Sequence, residues 1–284
     1  MIVKYFRQHL AFFSRTIVLL ALLQFTAQAQ ERLVLIGGGA RPHEALARFT
    51  EWAGGHERAR ILVIPWATEQ PQAGYESVTK DFAPFDPLTL EMAPVAPLTE
   101  ISKRKFLNQL QDATAVFFTG GDQVRIMNVL KDEELLRALR EKYHAGTVFG
   151  GTSAGTAIMS QRMITGEGDF TVLDGTKVET REGLGLLPSN VIVDQHFIKR
   201  QRQNRLFGLI LQYPEQLGLG IDEGTALLIS DNRYGETVGA SQVMVIDARA
   251  QKGALVVYLM KPGERIDLRR RLILEKAKGL KRAA

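Results

Sequence analysis

The chain has 284 residues, 45% hydrophobic and 24% charged, the balance of a globular protein with a sizeable core rather than a disordered, collagen-like or multi-span membrane chain. It contains no cysteine, which excludes disulfides, thiolate metal centres, iron–sulfur clusters, a cysteine nucleophile and a cysteine-linked lipid anchor. Formal net charge is +5, but Lys4, Arg7 and Arg15 fall in the first 29 residues, where no Asp or Glu occurs; the remainder carries only +2, a poor argument for a nucleic-acid partner.

Residues 1–15 are basic, the apolar run Thr16–Phe25 follows, and Ala27-Gln28-Ala29 places small residues at the −3 and −1 positions of a cleavage site. These are the parts of a secretory signal peptide, and the apolar run is shorter than the ~20 residues of a spanning helix. The expected organisation is a signal peptide at 1–29 and one α/β domain at 30–284, exported to the periplasm or the medium.

Along the mature chain, Glu31–Ile36 ends in three glycines, Ala59–Ile64 at Pro65, Thr114–Phe118 near Gly120-Gly121, Thr147–Phe149 at Gly150-Gly151, and Asn190–Val193 at Asp194. Short β-branched runs that stop at Gly or Pro predict a mostly parallel sheet with crossover helices on both faces. Asp81–Pro97 holds four prolines and reads as a surface excursion. The spacing of Val124, Met127, Leu130, Leu135, Leu136 and Leu139 predicts one helix between Asp122 and Tyr143, with Asp122 as its N-cap and Gly146 near its end. After residue 217, Leu217–Ile221, Thr225–Ser230, Gln242–Asp247 and Ala254–Leu259 predict an antiparallel finish to the sheet or a small added one. The basic stretch from Arg265 to Arg282 reads as a solvated terminal helix.

Gly37-Gly38-Gly39 invites a dinucleotide reading, but the third glycine of G-x-G-x-x-G would fall on Pro42, and no P-loop occurs. The triplet is better explained by close backbone approach to a neighbouring loop. Gly151-Thr152-Ser153-Ala154-Gly155 is a G-x-S-x-G pentapeptide between a strand and an expected helix over Thr156–Met163. That context suits a nucleophile elbow, with Ser153 as nucleophile, the Ala154 amide as first oxyanion donor and the Gly120-Gly121 loop as source of a second. Of five histidines, His196 follows a strand and should lie on the same rim as Ser153, which makes it the candidate base. Glu167 and Asp169 lie between serine and histidine and are the leading candidates for the orienting acid, with Asp174 and Glu223 outside them. Asp194 flanks the histidine and reads as a substrate contact. Lys199, Arg200, Arg202 and Arg205 follow it, a run suited to clamping carboxylates.

TGGDQ at 119–123, GGTSAG at 150–155, DQHF at 194–197 and GIDEGTAL at 220–227 resemble the cyanophycinases of peptidase family S51, which also holds the aspartyl dipeptidases. The resemblance implies a flavodoxin-like α/β fold similar to class I glutamine amidotransferases, with serine in place of their cysteine. It implies Ser153 as nucleophile, His196 as base and an acid soon after the serine helix, either Glu167 or Asp169. It adds Gln123, Asp194 and Gln195, with Gly121 at the oxyanion loop and Arg200, Arg202 and Arg205 in the substrate pocket. No metal or cofactor is implied, and a homodimer is. The implied substrate is cyanophycin, an aspartate backbone with arginine on each β-carboxyl. A short aspartyl or isoaspartyl peptide, or a secreted binder without hydrolysis if neither acid reaches His196, are the other readings.

Overall fold

Among the described residues nine strands make the main sheet, in the spatial order Leu272–Leu274, Arg265–Asp267, Tyr234–Gly239, Thr225–Ser230, Arg32–Ile36, Val148–Thr152, Ala115–Phe118, Arg60–Ile64 and Thr89–Met92. The structure is a computed structural model that describes residues 30–169 and 171–274; the expected signal peptide and the end of the basic tail lie outside them. Strands β1 (Arg32–Ile36), β2 (Arg60–Ile64), β3 (Thr89–Met92), β4 (Ala115–Phe118) and β5 (Val148–Thr152) are parallel. Strands β10 (Thr225–Ser230), β11 (Tyr234–Gly239), β14 (Arg265–Asp267) and β15 (Leu272–Leu274) continue the sheet antiparallel beyond β1. A second sheet holds β8 (Val191–Gln195), β9 (Leu217–Ile221), β12 (Val243–Asp247) and β13 (Val256–Met260), and β6 (Arg162–Gly168) pairs with β7 (Val178–Glu182) as a separate hairpin. No helix among the described residues is long and apolar enough to cross a membrane.

Strand alternation builds the layers. Val34, Ile36, Ile61, Val63, Ala115 and Phe117 face helices α1 (His43–Trp52) and α2 (Pro71–Phe82), where Phe49, Phe82 and Phe117 pack ring to ring. Leu33, Leu35, Leu62, Ile64, Val116 and Phe118 face the other way, into a core shared with α3 (Glu100–Asp112), α5 (Glu133–His144) and one face of the second sheet. The opposite face of that second sheet is covered by Leu206, Leu209 and Ile210 of α7 (Gln203–Gln212). The fold is thus α/β with a mostly parallel sheet and an antiparallel extension, as expected, and the late strands do both things foreseen for them, finishing one sheet and building another.

Four local expectations change. The helix foreseen over 122–143 is two helices, α4 (Gln123–Val129) and α5, because Asp132 caps a new N-terminus by accepting from the Glu134 and Leu135 amides. The helix foreseen over Thr156–Met163 is the single turn α6 (Ala154–Ala157), since the carbonyls of Ile158 and Met159 accept instead from Leu184, Leu186 and Leu187. The proline-rich excursion contains β3, an edge strand, where flanking prolines break no ladder bond. The described part of the basic C-terminal stretch is the β14–β15 hairpin, not a helix.

Candidate active site

Ser153 sits between β5 and α6 with φ 54° and ψ −112°, a positive-φ conformation rare for any residue with a side chain. Its amide donates to the Ile36 carbonyl at 3.0 Å, and Thr156 Oγ1 donates to the Ile36 and Gly151 carbonyls at 2.7 and 2.8 Å. The flanking glycines are required by space. A Cβ on Gly151 would overlap the backbone of Gly155, and one on Gly155 would overlap the Phe118 carbonyl. The elbow is held in its strained form by the surrounding backbone.

His196 follows β8 in the second sheet, also at positive φ, 50°. Its amide donates to the Gly37 carbonyl at 2.6 Å, and the next residue, Phe197, is buried against Gly220, where a Cβ would collide with the ring. Nε2 of His196 lies 2.8 Å from Ser153 Oγ, and Nδ1 lies 2.5 Å from Glu223 Oε1. A carboxylate only accepts, so Nδ1 carries the proton and the Nε2 lone pair faces the serine hydroxyl. Burial pushes the His196 pKa down; the Glu223 hydrogen bond opposes this, and Arg200 and Arg202 add to it. The imidazole is therefore biased towards the neutral form that accepts a proton.

Glu223 lies in the turn from β9 to β10. Strands β8 and β9 are parallel neighbours in register, Asp194 beside Gly220 and Gln195 beside Ile221, so residues just past their ends come together. Asp222 ties the two turns: Oδ1 accepts from the Ile198 and Lys199 amides and Oδ2 from Ser241 Oγ. The glycine triplet closes the space between them. At φ 107°, a Cβ on Gly38 would occupy the position of the His196 ring, and its carbonyl accepts from the Gly224 amide.

Glu167 and Asp169, the two acids favoured from sequence, are not brought to His196. Asp169 is exposed and turned back on Thr171, accepting from its amide at 3.0 Å and its hydroxyl at 2.6 Å. Thr171 holds the Asp169 carboxyl below its usual pKa. Glu167 lies on the wall of the cleft above Ser153. Asp174 accepts in the same way from Thr176. The signal that points to Glu223 was present in GIDEGTAL, an acid two residues past a strand end, but only the pairing of β9 with β8 shows which histidine it meets.

The cleft has a volume of about 350 Å3 and is lined by Gly121, Gln123, Ser153, Glu167, Arg200 and Arg202, among others. Gly120 lies against Ser153, and Gly121 has φ 140°, where any side chain would strike the Ala67 carbonyl. Ala154 supplies the first amide of α6, with no earlier helical carbonyl to bond. Gln123 donates through Nε2 to the Ile164 and Thr165 carbonyls, leaving its amide oxygen for a ligand. Asp194 and Arg205 are committed to each other, with Arg205 Nε and Nη2 on the two carboxylate oxygens at 2.7 and 2.5 Å, both residues about 1% exposed. The pair forms the floor of the cleft, where Arg205 contributes to its lining. Arg202 Nη1 donates to the carbonyl and side chain of Gln195 at 3.0 and 2.7 Å, and burial beside Arg205 lowers its pKa to about 10. Arg200 is about half exposed, its Nε 3.7 Å from Glu223.

Among the described residues the group able to hold a metal is His56, Glu57 and Asp86, all exposed. It lies at the amino ends of β2 and β3, the sheet edge opposite Ser153.

The Peptidase family S51 profile matches residues 33–236. The chain belongs to peptidase family S51. It is a serine-type peptidase. The chain is 35% identical over 222 residues to the cyanophycinase of Geminocystis herdmanii, covering 76% of this chain and 81% of that one. To the cyanophycinase of Trichormus variabilis it is 33% identical over 227 residues, 78% of this chain and 76% of that one. The crystal structure of a peptidase from an acI-B1 Actinobacterium shares the fold, with a TM-score of 0.66 at 22% identity over 86% of this chain and 99% of that one. The S51 peptidase thus carries Ser153 at the end of the main sheet and His196 at the end of the second.

Proposed function

We propose that this S51 peptidase hydrolyses cyanophycin to β-aspartyl-arginine, using Ser153, His196 and Glu223 as its catalytic triad. The observation that carries this is the hydrogen-bonded chain from Ser153 Oγ through His196 to Glu223, opening into a cleft that bears Arg200 and Arg202. Similarity to two cyanophycinases supports the polymer as substrate. Each arginine in that polymer presents a free α-carboxylate, which guanidinium groups bind well.

His196 Nε2 takes the Ser153 proton as Oγ attacks a backbone aspartyl carbonyl, and the charge on the carbonyl oxygen is met by the Ala154 and Gly121 amides. Collapse breaks the C–N bond, and the leaving amine receives the proton from His196. Water then enters, gives one proton to His196 and its oxygen to the acyl carbon; Ser153 leaves with that proton. Glu223 keeps the imidazole in the required tautomer throughout. Export, read from residues 1–29, fits a scavenger of polymer released by other cells.

The test is mass spectrometry of products after residues 30–284 are incubated with cyanophycin, beside Ser153→Ala. Release of β-aspartyl-arginine by the wild type, falling by roughly 10⁴-fold or more in the variant, is expected. Release only from short aspartyl peptides would replace the substrate, and undiminished turnover by the variant would remove the nucleophile.

A further inference from the structure

The charges around the cleft are not all spent. Asp194 and Arg205 neutralise each other, Arg181 Nε pairs with Glu179 at 2.9 Å, and Asp122 uses Oδ1 to cap α4 through the Val124 amide at 2.8 Å. Arg202 gives one of its nitrogens to Gln195, and Arg200 only approaches Glu223. Glu167 is the contrasting case. Among the described residues its carboxylate meets neither a cation nor a hydrogen-bond donor, although it lines the same cleft as Ser153.

Its placement is built. The ladder between β6 and β7 shifts register between Ile164 and Gly168, the mark of a bulge, and bulges re-aim side chains beside active sites. Gly166 and Gly168, on either side of Glu167, both have positive φ, and a Cβ on Gly168 would strike the Lys177 carbonyl. The Glu167 amide donates to Thr165 Oγ1, and Gln123 bonds the Ile164 and Thr165 carbonyls, fastening this wall to the helix that follows the Gly120-Gly121 loop.

A cleft with guanidinium groups not neutralised by a close carboxylate, and one unpaired carboxylate, complements a zwitterion. We propose that Glu167 is a specificity-determining residue that takes the guanidinium of the substrate's β-linked arginine, while Arg200 and Arg202 hold the α-carboxylate of that same residue. This rests on the cyanophycin reading above and adds to it a reason for the polymer's cationic side chain to be selected. A carboxylate contact to a charged donor discriminates against an uncharged isostere by about tenfold or more.

The test compares two synthetic oligo-aspartates, one carrying β-linked arginine and one carrying β-linked citrulline, in which a neutral urea replaces the guanidinium at nearly constant shape. The readout is the ratio of kcat/KM for the arginyl over the citrullinyl oligomer. The wild type should show a ratio of about ten or more, Glu167→Gln should bring it to within about twofold of unity, and Glu167→Asp should retain part of it. Asp122→Asn, which still caps α4, should keep the wild-type ratio. A wild-type ratio near one, an unchanged ratio in Glu167→Gln, or a loss of the ratio only in Asp122→Asn each overturns the assignment. Failure of the wild type to cleave either oligomer removes the cyanophycin reading itself, and the role of Glu167 with it. Thermal melting of the variants at the wild-type temperature separates any change from misfolding, as expected for an exposed side chain.

Discussion

The nine-stranded sheet delivers Ser153, whereas the four-stranded sheet and the turn that leaves it deliver His196 and Glu223, the two groups hydrogen-bonded in series to it. Ser153 depends on five consecutive residues whose glycines are each required by a contact within the elbow or with the adjacent strand. His196 and Glu223 depend on two strands being parallel and in register, on Asp222 joining their ends, and on a glycine triplet contributed by the far end of the chain. The first is a local conformational device and the second a product of tertiary pairing. They respond differently to substitution: a change in the elbow alters one atom's presentation, while a change in the second region alters tautomer, orientation and proton affinity together.

Removal of the acid should separate the two most sharply. Glu223→Gln is expected to lower kcat by roughly 10³–10⁴-fold while the fold melts near the wild-type temperature; Asp169→Asn should stay within about twofold of wild type. Steady-state kinetics on cyanophycin reads both, and a deficit in Asp169→Asn equal to that of Glu223→Gln would return the acid to the hairpin. Gly38→Ala comes next, because its methyl group would enter the space of the imidazole. Displacement of the base by about 1 Å costs roughly 10²-fold in rate, measured as kcat/KM with the elbow intact. The smallest effect is on pH. The base must be neutral to act, and burial puts its pKa below the ordinary ~6.5, so kcat/KM should hold steady down to about pH 6.5 and fall only below it. Arg200→Ala removes a cation that disfavours the imidazolium and should move this acid limb to higher pH; loss of the Glu223 hydrogen bond should move it lower.

Much of this was legible in the sequence where the physics is local. The strand runs ending in glycine, the Asp122 cap, the elbow and the exclusion of a dinucleotide by Pro42 all follow from neighbouring residues. His196 was legible as a strand-end histidine, although its strand lies in the second sheet. The orienting acid was not, because chain order favours Glu167 and Asp169, whereas strand adjacency favours Glu223, and adjacency is not written in order. Asp194 and Arg205 show the same limit. Each has the chemistry of a substrate contact, and only their mutual burial shows that they are partners.

Strand β1 occupies the middle of the main sheet, between β5 and β10. Its trailing glycines must meet Glu223 and His196, groups from the opposite end of the polypeptide, before the imidazole has a seat. Pairings of such long sequence separation are intrinsically slow to form, because loop-closure entropy is lost before the contacts are gained. A chain that ended just after the elbow would therefore carry Ser153 without His196 and Glu223, which reach it only once β10 has paired with β1. The topology thus makes the chain of hydrogen bonds from Ser153 through His196 to Glu223 a property of the assembled domain rather than of any one segment.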